Sequence, residues 1–419
     1  MEHVINFLIY RLVLKGFHKV HLIILSFQPL TIASYKSMKE KIRNHFIDLF
    51  HRKPFMFQSP GRVNLIGEHT DYNEGFVLPA SINRYTYFAL RPNEESQYRF
   101  YAYDFKGEYS TTLSEISAQK IEWANYLLGI IKQFVKRGAY VPGFDCVFGG
   151  DIPVGAGMSS SASIACGLAY AINKAFNFGF SANELTKFAQ LAEHEYAGVQ
   201  CGIMDQFAVM HGKKDQVMML DCRSLDFKYF PLQMNDYELV LVNTGVKHSL
   251  ASSEYNKRRE ECNAGVSVLK KYDNSVHSLR DVTINLIEEY KSELSEEVCN
   301  RCSYVVEENS RLKQACEQLY AGNVEAFGEF MYGSHQGLRH KYEVSCHELD
   351  KLVEIAKSID GVLGARMMGG GFGGCTINLV RKAQVELFKE TVRQKYQTPD
   401  QKAPEIYEVV IEDGTKEIQ

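Results

Sequence analysis

Apolar and polar positions alternate between two periods along this chain. Phe55–Gln58, Phe144–Phe148, Gln216–Leu220 and Glu238–Val242 are short and alternating or apolar, which predicts strands. Met38 opens KEKIRNHFIDLF, and Ser160 to Phe176 is a run rich in small residues; both predict helices. Ser181 to Glu184 fits a capping box, with Leu185, Phe188, Ala189, Ala192 and Tyr196 along one face of the helix it opens. From about Ser252 to Tyr320 the pattern is helical and rich in charge. GARMMGGGFGGCTINLV then runs a glycine loop straight into a strand. The mixture predicts an α+β fold with a soft boundary near residue 228, dividing 38–228 from 229–419. No internal repeat or low-complexity linker interrupts it.

Residues 1–37 do not share this patterning. They are apolar but broken by Arg11, Lys15 and Lys19, and the longest uncharged stretch, His21 to Tyr35, contains Pro29. That stretch is shorter than the roughly 18–20 apolar residues a membrane span needs. An acidic residue precedes it and no small-residue cleavage site follows, so the layout is not that of a signal peptide. The expectation is that Met38 is the true start and that 1–37 is an over-extended reading frame, with a membrane-anchoring segment as the alternative.

Composition narrows the class. A chain of 419 residues with 45% hydrophobic and 23% charged residues is ordinary for a globular protein of two domains. A net charge of -4 gives no bulk attraction to nucleic acid or anionic membrane. The ten cysteines are scattered, apart from Cys299 and Cys302. One CxxC without a second pair or a His pair is a weak zinc signal, and thiols of a reduced, cytoplasmic protein are the expectation.

Four segments carry candidate chemistry. In Pro153–Ala162, Gly155 and Gly157 permit close backbone approach, and Ser159, Ser160 and Ser161 open a helix whose free N–H groups favour an anion. Serine hydroxyls can also ligate Mg²⁺. No Lys follows the glycines, so this is not a Walker A loop; a plain glycine turn with a serine cap is the alternative. Gly61–Asn73 places Arg62, Glu68, His69 and Asp71 within ten residues, which suits a sugar with vicinal hydroxyls or, equally, a solvated turn. Glu193 sits beside the apolar stripe of its helix, where a carboxylate wants a cation or else is a surface charge. Asp205, between Met204 and Phe207, suits a carboxylate that orients or deprotonates a hydroxyl, or a helix N-cap. His194 has no partner at metal-ligand spacing and reads as structural. Gly369–Gly374 matches G-x-G-x-x-G, but a strand rather than a helix follows, so a dinucleotide site fails on context.

Taken together, the segments resemble the GHMP small-molecule kinases, and within them the galactokinases. GRVNLIGEHTDYNEGFVLP resembles the sugar-binding segment of that family, PVGAGMSSSA its ATP loop and GGGFGG its third motif. NTGVKHSLASSEYNKRR and YEVSCHELD also resemble galactokinase segments, and all occur in the family's order from about Met38 onward. The resemblance implies a bilobal fold, with a mixed sheet and helices in the N-terminal lobe, an antiparallel sheet flanked by helices in the C-terminal lobe, and the active site between them. It implies Asp205 as catalytic base and Arg62 as the cation at the reacting centre. Glu68, His69, Asp71, Gly202 and Tyr255 match sugar-holding positions. Gly155, Gly157 and Ser159–Ser161 match the ATP loop, and Glu193 with Ser161 or Ser160 the Mg²⁺ ligands. Trp123 and Tyr126 match the adenine side, although by themselves they read as core packing. Met368 stands where many relatives carry Thr, and 1–37 match nothing in the family. The implied reaction is transfer of the γ-phosphoryl group of ATP to the anomeric hydroxyl of galactose, giving α-D-galactose 1-phosphate, by a monomeric cytoplasmic enzyme. A kinase for N-acetylgalactosamine or arabinose, or a sensor that binds galactose and ATP without turnover, are the alternatives. The intact serine run, Arg62 and Asp205 favour the enzyme.

Overall fold

The computed structural model describes residues 37–232, 234–246 and 251–419, with the side chains of 251–253 left aside. The expectation for the N-terminal segment therefore falls outside the described residues, as do positions 247–250 of NTGVKHSLASSEYNKRR. Residues 38–419 form one compact unit.

A six-stranded sheet is built from β1 (Phe55–Asn64), β3 (Pro79–Pro92), β4 (Gln97–Ala102), β5 (Gly107–Thr112), β6 (Phe144–Gly150) and β13 (Lys416–Ile418), in the order β13-β1-β3-β6-β4-β5. Only the β4–β6 pair is parallel, so the sheet is mixed. Its strands alternate faces. Phe88 and Leu90 pack under α2 (Glu122–Lys136), α3 (Ser160–Ala175) and α4 (Ala182–Ala192), while Ala89 and Val147 meet Ile42 and Phe46 of α1 (Met38–Phe50) on the other side. The small residues of α3 have a packing reason. A Cβ at Gly167 would stand 2.2 Å from the Phe88 ring, so the helix rides close to the sheet. Ser181 caps α4 as expected, with its hydroxyl accepting from Glu184 N–H and the Glu184 carboxylate accepting from Ser181 N–H.

A second, antiparallel sheet has the order β10 (Val362–Met367), β11 (Cys375–Arg381), β9 (Tyr237–Asn243), β12 (Ile406–Val409). Val240, Val242 and Val380 pack on α10 (His347–Lys357) and α11 (Val385–Lys395). Leu239, Leu241, Ile377 and Leu379 pack on α8 (Glu296–Tyr320) and α9 (Val324–His340). A small third sheet joins β2 (Phe76–Val77), between β1 and β3 in sequence, to β7 (Gln216–Asp221) and β8 (Phe227–Pro231). The expected division at 228/229 is not clean: the end of the second half returns to the first sheet, where Met56 to Gln58 pair with Lys416 to Ile418. Two glycine loops meet where the halves join. A Cβ at Gly157 would stand 3.2 Å from the carbonyl of Met368, whose own N–H donates to the Cys375 carbonyl at 3.0 Å.

Candidate active site

The end of strand β1 delivers Arg62, and the segment after it delivers Glu68, His69 and Asp71. Arg62 donates from Nε to Asp205 Oδ1 at 2.8 Å and from Nη2 to Oδ2 at 3.0 Å, a two-pronged pair. Its remaining nitrogen donates to the Gly157 carbonyl of the serine loop. Burial works against the Arg62 charge, but the carboxylates of Asp205 and Glu68 outweigh it and hold the guanidinium protonated. The Arg62 side chain is 4% exposed and that of Asp205 29%, so the carboxylate opens to a cavity that the cation backs.

Asp205 is the second residue of α5 (Met204–His211), after Ile203 at the cap, so it does not serve as the N-cap that was its plainer reading. Ser159, expected in the nucleotide loop, also touches Asp205. It sits in left-handed backbone, φ 57°, and donates from its hydroxyl to Asp205 Oδ2 at 2.5 Å. Such backbone in a non-glycine residue costs free energy and marks sites where geometry is imposed. Ser160 and Ser161 follow as the first residues of α3.

A cavity of about 220 Å³ opens in front of Asp205, bounded by Arg62, Glu68, His69, Asp71, Ser161, Glu193, Gly202 and Tyr255. Sugar-type residues from three distant segments are thus neighbours. Glu68 accepts from both terminal nitrogens of Arg366 on β10, with the Nη1 bond at 2.8 Å. Burial pushes the Glu68 carboxyl up and the Arg366 and Arg62 charges oppose this. Asp71 is pushed up to about 7 by burial and by the Asp205 carboxylate. Gly202 is where the chain must pass close. A Cβ there would stand 1.9 Å from Asp71 Oδ2. Gly202→Ala is therefore expected to displace Asp71 and raise KM for the sugar by about tenfold or more, with KM for ATP unmoved. Steady-state kinetics with each substrate varied checks this.

Glu193 is buried at the end of α4, where the backbone widens into a π turn over Glu193–Ala197. A surface charge it is not. Burial pushes its carboxyl up to about 7, although Gln206 Nε2 donates to it at 2.6 Å and the Ser161 hydroxyl also bonds it. A buried carboxylate and a hydroxyl, both hard oxygens, fit Mg²⁺. His194 Nε2 donates to the Cys201 carbonyl at 2.8 Å, a structural contact.

A second cleft of about 190 Å³ is lined by Tyr103, Phe105, Trp123, Tyr126, Ile152 and Ile164. Trp123 also packs against Phe148, ring centroids 5.6 Å apart, so it serves core and cleft together. Ser160 lines this cleft, and Ser161 lines both it and the Asp205 cavity. The two spaces therefore adjoin across the start of α3.

Several contributors carry no motif of their own. Tyr304, Glu308 and Asn309 of α8 hold the Glu68 carbonyl, the Gly67 N–H and the Phe76 N–H respectively, each at 2.9 Å. They fix the backbone of the sugar-type segment from the opposite half of the chain. Arg366 did leave a signal: a charge in an otherwise apolar strand, VLGARM, running into the glycine loop.

Comparison with known proteins follows the same outline. A galactokinase galactose-binding signature matches residues 44–92, the GHMP kinase N-terminal domain 125–213 and the GHMP kinase C-terminal domain 312–398. The chain is 40% identical to a galactokinase of Clostridium beijerinckii over 383 residues, 90% of this chain and 98% of that protein. It is 40% identical to one of Bacillus subtilis over 389 residues, 91% of this chain and 100% of that protein. Among solved structures, the galactokinase of Lactococcus lactis complexed with galactose superposes with a TM-score of 0.87 at 34% identity, covering 90% of this chain and 99% of that one. A mevalonate kinase of Methanococcus jannaschii shares the fold, with a TM-score of 0.62 at 19% identity.

Proposed function

The chain belongs to the galactokinases of the GHMP kinase family, and from that premise we propose that its two adjoining cavities hold galactose and ATP in line across Ser161. It is a phosphotransferase that phosphorylates galactose with ATP. The observation that carries the assignment of places is the junction itself: Asp205 and Arg62 stand where the sugar-type cavity meets the start of α3, and Ser161 lines both sides.

Galactose lies against Glu68, His69, Asp71 and Tyr255, with its C1 hydroxyl toward Asp205. The purine packs in the aromatic cleft beside Trp123 and Tyr126. The phosphates follow the glycine–serine loop to the N-terminus of α3, where free N–H groups and the helix dipole favour them. Asp205 accepts the proton of the C1 hydroxyl. The freed oxygen forms the new P–O bond, the bond to the bridging oxygen of ATP breaks, and ADP leaves. Arg62 holds the Asp205 carboxylate through its two bonds and faces the charge that develops on the reacting oxygens. Glu193 and the hydroxyl of Ser161, or that of Ser160, would hold Mg²⁺, which neutralises phosphate oxygens. The product is α-D-galactose 1-phosphate. The ten free cysteines suit a reducing cytoplasm, and no helix among the described residues is long and apolar enough to cross a membrane. We read the protein as a monomer.

One consequence is a proton count. Sugar hydroxyls donate to carboxylates, so galactose prefers Asp71 ionised. With its carboxyl near 7, free Asp71 is protonated in acid and must release that proton on binding. Affinity is thus expected to fall as pH drops below about 7, by up to tenfold per unit, and to level off above it. Calorimetry without nucleotide, in buffers of different ionisation enthalpy, should show close to one proton released at low pH and almost none at high pH. Asp71→Asn should abolish the release. The choice among sugars is tested by kcat/KM on galactose, N-acetylgalactosamine and arabinose; a higher value on either of the last two would change the substrate and keep the site.

A further inference from the structure

We propose that Tyr72 is a positioning residue that fixes His69 as a neutral imidazole protonated on Nε2, with that N–H aimed at the bound sugar. The inference rests on galactose lying against His69. It goes beyond that placement by assigning which hydrogen-bonding group the ring presents and what holds it so.

The two ring nitrogens of His69 have different surroundings. Nδ1 lies 2.8 Å from the Tyr72 hydroxyl. Nε2 is buried without a partner in a side chain that lines the sugar-type cavity and is only 3% exposed. A buried donor or acceptor left unpaired is costly, so a ligand that reaches it gains the whole bond.

Tyr72 does not act alone. Its hydroxyl is 2.7 Å from that of Tyr342, which in turn is 3.2 Å from the Cys262 thiol. Each hydroxyl in such a row can donate one bond and accept another, so the row has one direction at a time. With the thiol at its start, the row runs from Cys262 through Tyr342 and Tyr72 to Nδ1 and ends on the imidazole nitrogen, its best acceptor. Reversed, it ends on sulfur, a weak acceptor. The first direction leaves the proton on Nε2.

A second proton on the ring is disfavoured by the surroundings. Burial dominates, and the Arg258 guanidinium, fixed nearby by its bonds to the Tyr342 and Glu343 carbonyls, adds to it. The rings of Tyr255 and Tyr342 lie 5.4 and 5.0 Å from the imidazole, which limits its rotation. The result is a cavity with both kinds of group: Glu68 and Asp71 accept from sugar hydroxyls, and His69 donates to a sugar oxygen.

The test is Tyr72→Phe in the full chain, read by nitrogen NMR of histidine-labelled protein and by kinetics. His69→Gln assigns the His69 signals by difference. In the free wild-type protein His69 is expected as the single neutral form with its proton on Nε2. Tyr72→Phe should lose that single form and raise KM for galactose by about tenfold, with kcat falling far less. An imidazolium or an Nδ1 proton in the wild type overturns the proposal, as does a variant with the wild-type signal and KM. The expected signals with an unchanged KM would count against the sugar placement beneath the proposal. Should Tyr72→Phe fail to fold, Tyr342→Phe removes the next hydroxyl and is expected to shift both readouts the same way by less; no shift in either overturns the proposal.

Discussion

Asp205→Asn is expected to lower kcat by about 10³-fold or more, with ATP affinity nearly unchanged. Asparagine keeps the shape of the carboxylate and one oxygen that can accept from Arg62 and Ser159. What it loses is basicity toward the C1 hydroxyl and the negative charge opposite Arg62. The variant isolates chemistry from folding better than Asp205→Ala, which should also abolish turnover but leaves the buried Arg62 cation without its two-pronged partner. Single-turnover rates, with nucleotide binding and melting temperature measured alongside, check this. A folded Asp205→Asn protein turning over at the wild-type rate would remove Asp205 from the role of base.

The largest effect on stability is expected from Arg366→Met. Arg366 is fully buried and makes bonds to the Glu68 carboxylate, the Leu65 carbonyl at 3.2 Å and the Met367 carbonyl at 2.8 Å. Methionine fills much of the volume and satisfies none of these. Breaking one side of a buried ion pair costs about 3–5 kcal/mol, because the partner is left charged in an apolar place. Glu68 is then expected to take up a proton and present a changed face to the sugar. The denaturant midpoint should fall accordingly, and KM for galactose should rise. An unchanged midpoint would mean that water or another group reaches Glu68, and the pair would lose its structural role.

The motifs were legible because each concentrates unusual chemistry within a few positions. Arg62 to Asp71, the serine run and Gly369–Gly374 are all local patterns, and the fold places them around one junction. The strand and helix cores were legible as well, since period two and period 3.6 are properties of short windows. Their extents were less so. β1 continues past Gln58 to Asn64 through Pro60 and Gly61, residues that break strand patterning, and a register shift between them marks the bend. What local patterns could not show is long-range support. Tyr304, Glu308 and Asn309 hold a segment more than 230 positions away in sequence. Arg366 meets Glu68 across 298 positions. The three helix residues read locally as more polar positions of a charged helix, and the Arg366 charge, visible in its apolar strand, does not name its partner. The same holds for β13, a three-residue strand too short to show a period, which pairs with β1. The Ser159 hydroxyl bond to Asp205 was likewise not legible, because it follows from left-handed backbone at Ser159.

The most direct test of the whole account is to follow purified protein with MgATP and galactose labelled with ¹³C at C1, by carbon and phosphorus NMR. The account predicts one product, with phosphorus coupled to C1 in the α configuration and ADP formed in equal amount. Binding of both substrates without that product, or coupling to any other carbon, would contradict it.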